Sequence, residues 1–408
     1  MSEEKSILIV NPGSTSLKFK LYLFPDENIL ATGKIERIGD EKSDYNISIL
    51  GKDFKGREKI PDYKTGVEFL LETLVGQELV LSQMSDLACV GFKAVHAGLR
   101  SFGPGAVYLT DDVLREMRRF EVTAPVHNRA YLEAIRCFRE LAPDVPRAAL
   151  FEPAFHRTVT EEKYVCGVPF EWYEKYGIRR YGFHGASHRY ISERAPELMG
   201  WNEKRRNTGR LISCHLGGSS SLCAICGGKS VDTTMEFSPQ SGILHSTRCE
   251  TIDPFILIFA QKEMGLSPDD LIRILCRDSG LKGISGTSGD MRDLHEWANL
   301  GNKRAVLALK VFYYQVRCQI AAMAASLEGV DGLVFTGGIG ENRPEDRWEI
   351  CSGLGYLSIH LDEEKNICCR SGTEVEISLI GSPVDVWVIP TNEEIIVARE
   401  VYSLISKE

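Results

Sequence analysis

No stretch of this 408-residue chain approaches the roughly 20 consecutive apolar residues that a membrane-spanning helix needs. The apolar run at 255–260 is far too short, and residues 1–6 do not read as a secretory signal, so a cytoplasmic protein with no membrane partner is expected. Basic residues are in deficit. Forty-eight Lys and Arg face 57 Asp and Glu, a net charge of −9, which argues against a nucleic-acid partner held by phosphate neutralisation. The one basic cluster, Lys204-Arg205-Arg206, reads as a solvated loop. Metal-binding cysteine spacings are missing as well: Cys223-Ala-Ile-Cys226 has no second pair and Cys368-Cys369 adds no ligand spacing, so zinc is not expected. The 12 cysteines are scattered, and Cys89 and Cys318 sit in apolar runs where a free thiol behaves as a small hydrophobe. Reduced thiols follow. Neither a Walker A P-loop nor a GxGxxG fingerprint occurs, which removes two common nucleotide-binding schemes.

What is present points to an ordinary folded enzyme. Hydrophobic residues are 43% and charged residues 26%, so disorder throughout the chain is excluded, and the length predicts two or three compact units. Strand and helix signals alternate to the end, the pattern of an α/β protein. The run Ile7-Leu8-Ile9-Val10 turns at Asn11-Pro12-Gly13, and the alternation of Phe19, Leu21 and Leu23 that follows predicts a β-hairpin. Helices are predicted over 67–74, 111–119, 129–141 and 303–328. In the last, Val306, Leu309, Tyr313, Val316, Ile320, Met323 and Leu327 step by threes and fours, and Gly329 is placed to end it in the left-handed conformation. Residues 7–18 and 211–222 echo one another: apolar strand, then Asn11 or His215, then Gly13 or Gly217, then Ser16 or Ser220.

Glycine-rich turns after strands recur at Gly13, at Gly217-Gly218 and at Gly337-Gly338-Ile339-Gly340-Glu341-Asn342. With hydroxyls at Ser14, Ser16, Ser219 and Ser220, they suit close approach of backbone N–H groups to a polyphosphate. Short stretches dense in polar residues lie around them. They include Lys93-Ala-Val95-His96, Val126-His127-Asn128, Glu152-Pro-Ala-Phe-His156, Phe183-His184-Gly-Ala-Ser-His188, Thr247-Arg248, Asp290-Met291-Arg292-Asp293 and Thr391-Asn-Glu393-Glu394. His184 and His188 lack a nearby third ligand, so a hydrogen-bonded His188 is expected rather than a metal pair. Thr391 and Glu394 have the spacing of a capping box, so Glu394 is expected to start the last helix.

These stretches together resemble the acetate kinase family of the acetokinase, sugar kinase and actin superfamily, over nearly the whole chain. Asn11-Pro-Gly-Ser-Thr-Ser16-Leu-Lys18 is similar to the family's first signature and Arg180-Tyr-Gly-Phe-His184-Gly-Ala-Ser-His188 to its second; Phe335-Thr-Gly-Gly-Ile-Gly-Glu-Asn342 is a further match. The resemblance implies a two-domain, actin-like α/β fold (ribonuclease H-like). One domain would cover 1–152 with a returning helix at 393–408, and a nucleotide-binding domain would cover 153–392. It implies reversible phosphoryl transfer from ATP to acetate, giving acetyl phosphate and ADP with Mg2+ or Mn2+, in a homodimer. By the same resemblance Glu152, His184 and Arg248 are catalytic, and Asn11 and Glu393 take the metal role. Lys93, Val95, Val126, His127, Phe183 and Pro239 meet the short carboxylate. Ser16, Lys18, His215, Leu216, Gly217, Gly218, Ser219, Asp290, Met291, Arg292, Gly337, Gly338, Ile339, Gly340 and Glu341 meet the nucleotide and its phosphates.

The chain departs from the family pattern where chemistry is expected. Lys93 stands in place of an arginine, so a planar fork becomes a single-point ammonium. Glu152 stands in place of an aspartate, with Pro153 beside it in place of a threonine, and Gly218 in place of an asparagine. Each of the three main exchanges keeps charge sign or loop flexibility, so an active, divergent kinase is expected. The alternatives are a kinase for propionate or butyrate, and a catalytically weak nucleotide-binding homologue with a regulatory or structural role.

Overall fold

The run Ile7-Leu8-Ile9-Val10 becomes the centre of β1 (Lys5–Pro12), and all four side chains are fully buried, as a strand covered on both faces requires. β1 turns at Gly13 and pairs antiparallel with β2 (Ser16–Phe24), so that Asn11 stands opposite Lys18. The meander continues through β3 (Asn28–Glu36), β4 (Ser43–Ile49) and β5 (Lys52–Glu58). On the other side of β1, β6 (Leu87–Ala94) and β8 (Arg147–Phe151) run parallel to it, with the short β7 (Val107–Tyr108) at the edge. The sheet order is β5-β4-β3-β2-β1-β6-β8-β7. The last helix, Glu393–Ile405, packs on β1, β6 and β8.

A second sheet repeats the plan. β9 (Arg210–His215), β10 (Ser221–Cys226) and β11 (Lys229–Thr233) form the antiparallel meander, and β12 (Gly332–Thr336) and β14 (Asp385–Val388) add parallel strands beyond β9, with β13 (Val375–Glu376) at the edge. The order is β11-β10-β9-β12-β14-β13. Both sheets thus contain three antiparallel strands followed by two parallel ones, and the echo between 7–18 and 211–222 falls on the first hairpin of each. One face of the second sheet packs Ile212, Cys214, Leu222 and Ala224 against helix Lys303–Ser326. The other face carries Leu211, Ser213 and His215 on β9 and Ser221, Cys223 and Ile225 on β10, and helix Gly185–Leu198 lies on it.

The computed structural model describes residues 4–76, 80–125, 127–370 and 372–407. The chain divides into two units, Met1–Ala154 with Asn392–Glu408, and Phe155–Thr391. Among the described residues no helix is long and apolar enough to cross a membrane. All 12 cysteines are free thiols.

Four local expectations need correction. The residue that turns left-handed after the long helix is Glu328, at φ +58°; Gly329, at φ +134°, is glycine because a Cβ there would lie 2.1 Å from the Arg210 guanidinium. Cys89 is buried, but Cys318 is exposed, on the solvent side of the same helix. Lys204-Arg205-Arg206 is solvent-exposed but helical, in Glu203–Thr208, because the Asn202 side chain caps the Arg205 N–H. The last helix is capped by Asn392, which accepts from Ile395 N–H, while Glu394 pairs with Lys20 at 3.5 Å.

Candidate active site

The candidate residues fall into two sets, one in each unit. In the first unit β1 delivers Asn11, β6 delivers Lys93, the segment after β8 delivers Glu152, and the last helix begins with Glu393. Because β6 lies between β1 and β8, its outward Lys93 reaches both carboxylates. The ammonium is 3.3 Å from Glu152 and hydrogen-bonds directly to Glu393. The side chains are only 15%, 5% and 15% exposed for Lys93, Glu152 and Glu393. Burial disfavours the charged amine, but the two carboxylates overcome it and raise Lys93 well above the ordinary lysine range. Two carboxylates and one ammonium leave this buried triad with one net negative charge.

Asn11 is held by a residue the motifs do not reveal: Tyr131 O–H donates to Asn11 Oδ1 at 2.7 Å. Ser16 and Lys18 open β2, and the Ser16 carbonyl accepts both Gly13 N–H at 2.8 Å and Tyr63 O–H at 2.8 Å, which tightens the hairpin tip. Val95 is buried just past β6. His127 precedes helix Asn128–Leu141, and the buried Asn128 amide donates to the His96 and Met117 carbonyls, anchoring that helix start. Val126 lies outside the described residues.

In the second unit a histidine cluster sits over the β9–β10 face. His184 starts helix Gly185–Leu198 from a left-handed backbone at φ +56°, and its Nδ1 is 2.7 Å from Ser221 Oγ. Its ring stacks on that of His215 at 4.2 Å between centroids, and His215 Nδ1 is 2.8 Å from Ser187 Oγ. His188 is buried between Ser213 and Ser221, with a hydrogen-bond partner at each ring nitrogen. His156 holds the turn before His184: its Nε2 is 3.0 Å from the Phe183 carbonyl and its Nδ1 2.8 Å from Ser230 Oγ. Gly182, at φ +75°, is required there, since a Cβ would lie 2.5 Å from the His156 ring. Burial pushes His156 down to about 4 and His245 down to about 3, and carries His188 well below its usual value, so all three are neutral at pH 7. Phe183 and Pro239 are buried.

Arg248 is 8% exposed, and burial lowers its pKa to about 10, which leaves it charged at neutral pH. Its loop is tied down on either side: Ser246 N–H donates to the Gly218 carbonyl, Ser246 Oγ to the Gly289 carbonyl at 2.6 Å, and Cys249 N–H to the Leu275 carbonyl.

Beside this loop lies a cavity of about 330 Å³ lined by Gly217, Gly218, Ser246, Gly289, Asp290, Met291, Arg292, Gly338, Ile339, Asn342 and Arg343. Leu216 locks its two glycine loops together, donating to the Thr336 carbonyl and accepting from Ile339 and Gly340 N–H. Gly337, at φ +78°, admits no side chain, because a Cβ would lie 2.8 Å from the Leu216 carbonyl. A Cβ on Gly218 would come no closer than 3.7 Å to its nearest neighbour, so the exchange from asparagine removes an amide and leaves space. Ser219 Oγ is buried and has no hydrogen-bond partner among the described residues. Asp290 caps helix Met291–Asn299 and pairs with the exposed Arg292 at 2.6 Å, while Met291 points into the core. Glu341 accepts from Gly337 N–H at 2.8 Å and Thr391 N–H at 3.4 Å, which braces the loop from below.

The hydroxyls at Ser213, Ser221 and Ser187 were not singled out in the sequence. A signal is present for two of them: Ser213 is a polar residue inside the apolar run of β9 and Ser221 opens the apolar run of β10, and buried polar residues need partners.

The acetokinase family profile matches residues 6–399. An acetate kinase of Clostridium botulinum is 44% identical over 402 residues, 98% of this chain and 100% of that protein, and one of Clostridium kluyveri is 43% identical over 404, covering 98% of each. Among solved structures, acetate kinase from Porphyromonas gingivalis superposes with a TM-score of 0.85 at 32% identity, covering 98% of this chain and 100% of that one. A propionate kinase from Francisella tularensis gives 0.86 at 32% identity, covering 97% and 98%. The two repeated sheets are accordingly those of the actin-like kinase fold. The chain belongs to the acetokinase family, the ATP-dependent phosphotransferases whose acceptor is a carboxyl group.

Proposed function

We propose that the protein transfers the γ-phosphoryl group of ATP to acetate, reversibly, forming acetyl phosphate and ADP, as a cytoplasmic homodimer. The acceptor carboxylate is ionised at neutral pH, so one of its oxygens attacks phosphorus directly. The new O–P bond forms as the bond to the β-phosphate oxygen breaks, and no proton has to be removed. Catalysis then rests on positioning and on neutralising charge around the transferring group. Arg248 is the observation that carries this reading: a buried guanidinium, still cationic at neutral pH, in a loop fixed to the glycine-lined cavity. In this reading His184 and Arg248 bind the transferring phosphoryl oxygens. The loops at Gly217-Gly218 and Gly337-Gly338 accept the nucleotide, and Ser219 Oγ donates to it.

Among the described residues no group of three or more His, Cys, Asp or Glu could hold a metal by itself. That suits Mg2+, which is commonly bound through one or two carboxylates, substrate phosphates and water. Glu393 with Asn11 supplies hard oxygen donors beside a net negative triad, so these residues fit and would hold it. Bound there, Mg2+ would neutralise phosphate charge. Lys93 offsets one of the two carboxylate charges of Glu152 and Glu393 and presents its ammonium to the acceptor carboxylate; Val95, buried just past β6, suits the short chain of a two- or three-carbon acid.

The test is a hydroxamate assay of acyl phosphate formation with ATP, Mg2+ and a panel of short carboxylates. Acetate is expected to give the highest kcat/KM. Preference for propionate or butyrate would select another acid kinase, and ATP binding with no acyl phosphate from any acid would select the non-catalytic homologue.

A further inference from the structure

The histidine cluster of the second unit contains a hydrogen-bond relay that phosphoryl positioning alone does not explain. His184 Nδ1 is 2.7 Å from Ser221 Oγ, the same oxygen is 2.9 Å from His188 Nε2, and His188 Nδ1 is 2.9 Å from Ser213 Oγ. A serine hydroxyl carries one proton and two lone pairs, so Ser221 either donates to one imidazole and accepts from the other, or accepts from both. His188 is fully buried and neutral, so it too carries one N–H.

Three proton orders satisfy this chain when His184 is neutral. In one, Ser213 donates to His188 Nδ1, His188 Nε2–H donates to Ser221, and Ser221 O–H donates to His184 Nδ1. The remaining proton of His184 is then on Nε2. In the second every bond is reversed, and in the third Ser221 accepts from both imidazoles; in either, His184 Nδ1 carries the proton and Nε2 is a bare acceptor. A phosphoryl oxygen only accepts, so a bare Nε2 lone pair facing it would be repelled, and the first order is the one compatible with nucleotide.

We propose that Ser221 is a positioning residue that fixes the proton of His184 on Nε2, with His188 and Ser213 completing the relay. The proposal rests on the reading of His184 as a ligand of the transferring phosphoryl group. The surroundings suit such a role, because His184 is also held at its backbone and by ring stacking. Its backbone is left-handed, the preceding carbonyl is held by His156, and its ring is stacked on His215, itself hydrogen-bonded to Ser187.

The experiment is a double-mutant cycle on the full-length enzyme, read as kcat and KM for ATP in acetyl phosphate synthesis, together with 15N chemical shifts of the histidine rings. His184→Gln is expected to lower kcat by about 100-fold, the scale of one lost transition-state donor. Ser221→Ala is expected to lower kcat between about 10- and 100-fold through misplacement, with KM for ATP changed less than about twofold. In the double variant Ser221→Ala should add nothing to His184→Gln, because its effect passes through that ring. In the wild-type enzyme with a non-hydrolysable ATP analogue, Nδ1 of His184 should resonate as an unprotonated nitrogen and Nε2 as a protonated one. That measurement requires no variant to fold. Multiplied losses in the double variant, or a protonated Nδ1 with a bare Nε2, would overturn the relay. Wild-type turnover in His184→Gln would instead overturn the phosphoryl-ligand reading, and the wild-type ring shifts would still decide the tautomer.

Discussion

The two units share a sheet plan and differ in how they handle charge. At the mouth of the β1–β2 hairpin the facing pair is Asn11 and Lys18; at the mouth of the β9–β10 hairpin it is His215 and Ser221. The first unit concentrates ions, with an ammonium between two carboxylates at 5–15% exposure. The second sets imidazoles, hydroxyls and glycine-lined backbone over its β9–β10 face and beside its cavity, with the buried cation Arg248 in the adjoining loop. The shared plan fixes where a hairpin mouth lies, while residue type decides what it can bind. An acidic triad suits a metal and, through its lysine, a small carboxylate; uncharged donors beside the Arg248 guanidinium suit polyphosphate, which brings its own negative charge.

That contrast can be broken most severely at Arg248. Arg248→Ala should cost about 10³-fold or more in turnover, since an arginine facing a transferring phosphoryl group can contribute on that scale. Retention of more than about a tenth of wild-type turnover would remove the transition-state role.

The next test is the coupling of Lys93 and Glu152, which touch at 3.3 Å. Groups in one ion-pair network couple by about 0.5–3 kcal/mol. Lys93→Arg alone and Glu152→Asp alone should each reduce or hardly change acetate phosphorylation, whereas both together should recover or raise it. Independent, additive gains from each exchange would show that the triad has decayed rather than adapted.

Acid should weaken the second unit through its neutral histidines. His156 at about 4, His245 at about 3 and His188 well below its usual value bind protons less readily folded than unfolded, where histidine titrates near 6.5. Folding stability is therefore complete above about pH 6.5 and falls as the pH drops below it, roughly tenfold in the folding constant per pH unit for each histidine. Urea midpoints at pH 7.5 and 5.5 measure this. A midpoint that does not move, or a His156→Asn variant with an unchanged slope, would contradict it.

The smallest contrast lies within the glycine loops. Gly337→Ala meets both a positive φ and a carbonyl at 2.8 Å and should destabilise the enzyme by about 1–2 kcal/mol while weakening ADP binding. Gly218→Asn has room and should leave stability within about 0.5 kcal/mol. Equal losses in thermal denaturation would show that loop space is not what separates the two positions.

Periodicity made the hairpin at Ile7 and the long helix legible, because one buried stripe dictates each. The glycine turns were legible for a related reason: only glycine tolerates the positive φ and close carbonyl found at Gly337. Contacts between distant parts of the chain were not. Tyr131 reaches Asn11 across 120 residues and Lys93 reaches Glu393 across 300, and no local pattern encodes either. Capping was misread where two competent residues adjoin: Thr391 and Asn392 both can cap, and packing chose Asn392. At Lys204-Arg205-Arg206 the charge run by itself reads as a loop, whereas the capping side chain of Asn202 signals the helix.

The division of labour between the units is tested most directly by ADP affinity in a variant of the acidic triad. Lys93→Met combined with Glu152→Gln removes one charge of each sign and leaves Glu393 in place. Measured by isothermal titration calorimetry, its Kd for ADP should stay within about twofold of the wild type while acetate phosphorylation falls by about 100-fold or more. A Kd raised tenfold or more, with the fold intact by circular dichroism, would show that the triad belongs to nucleotide binding and would contradict the account.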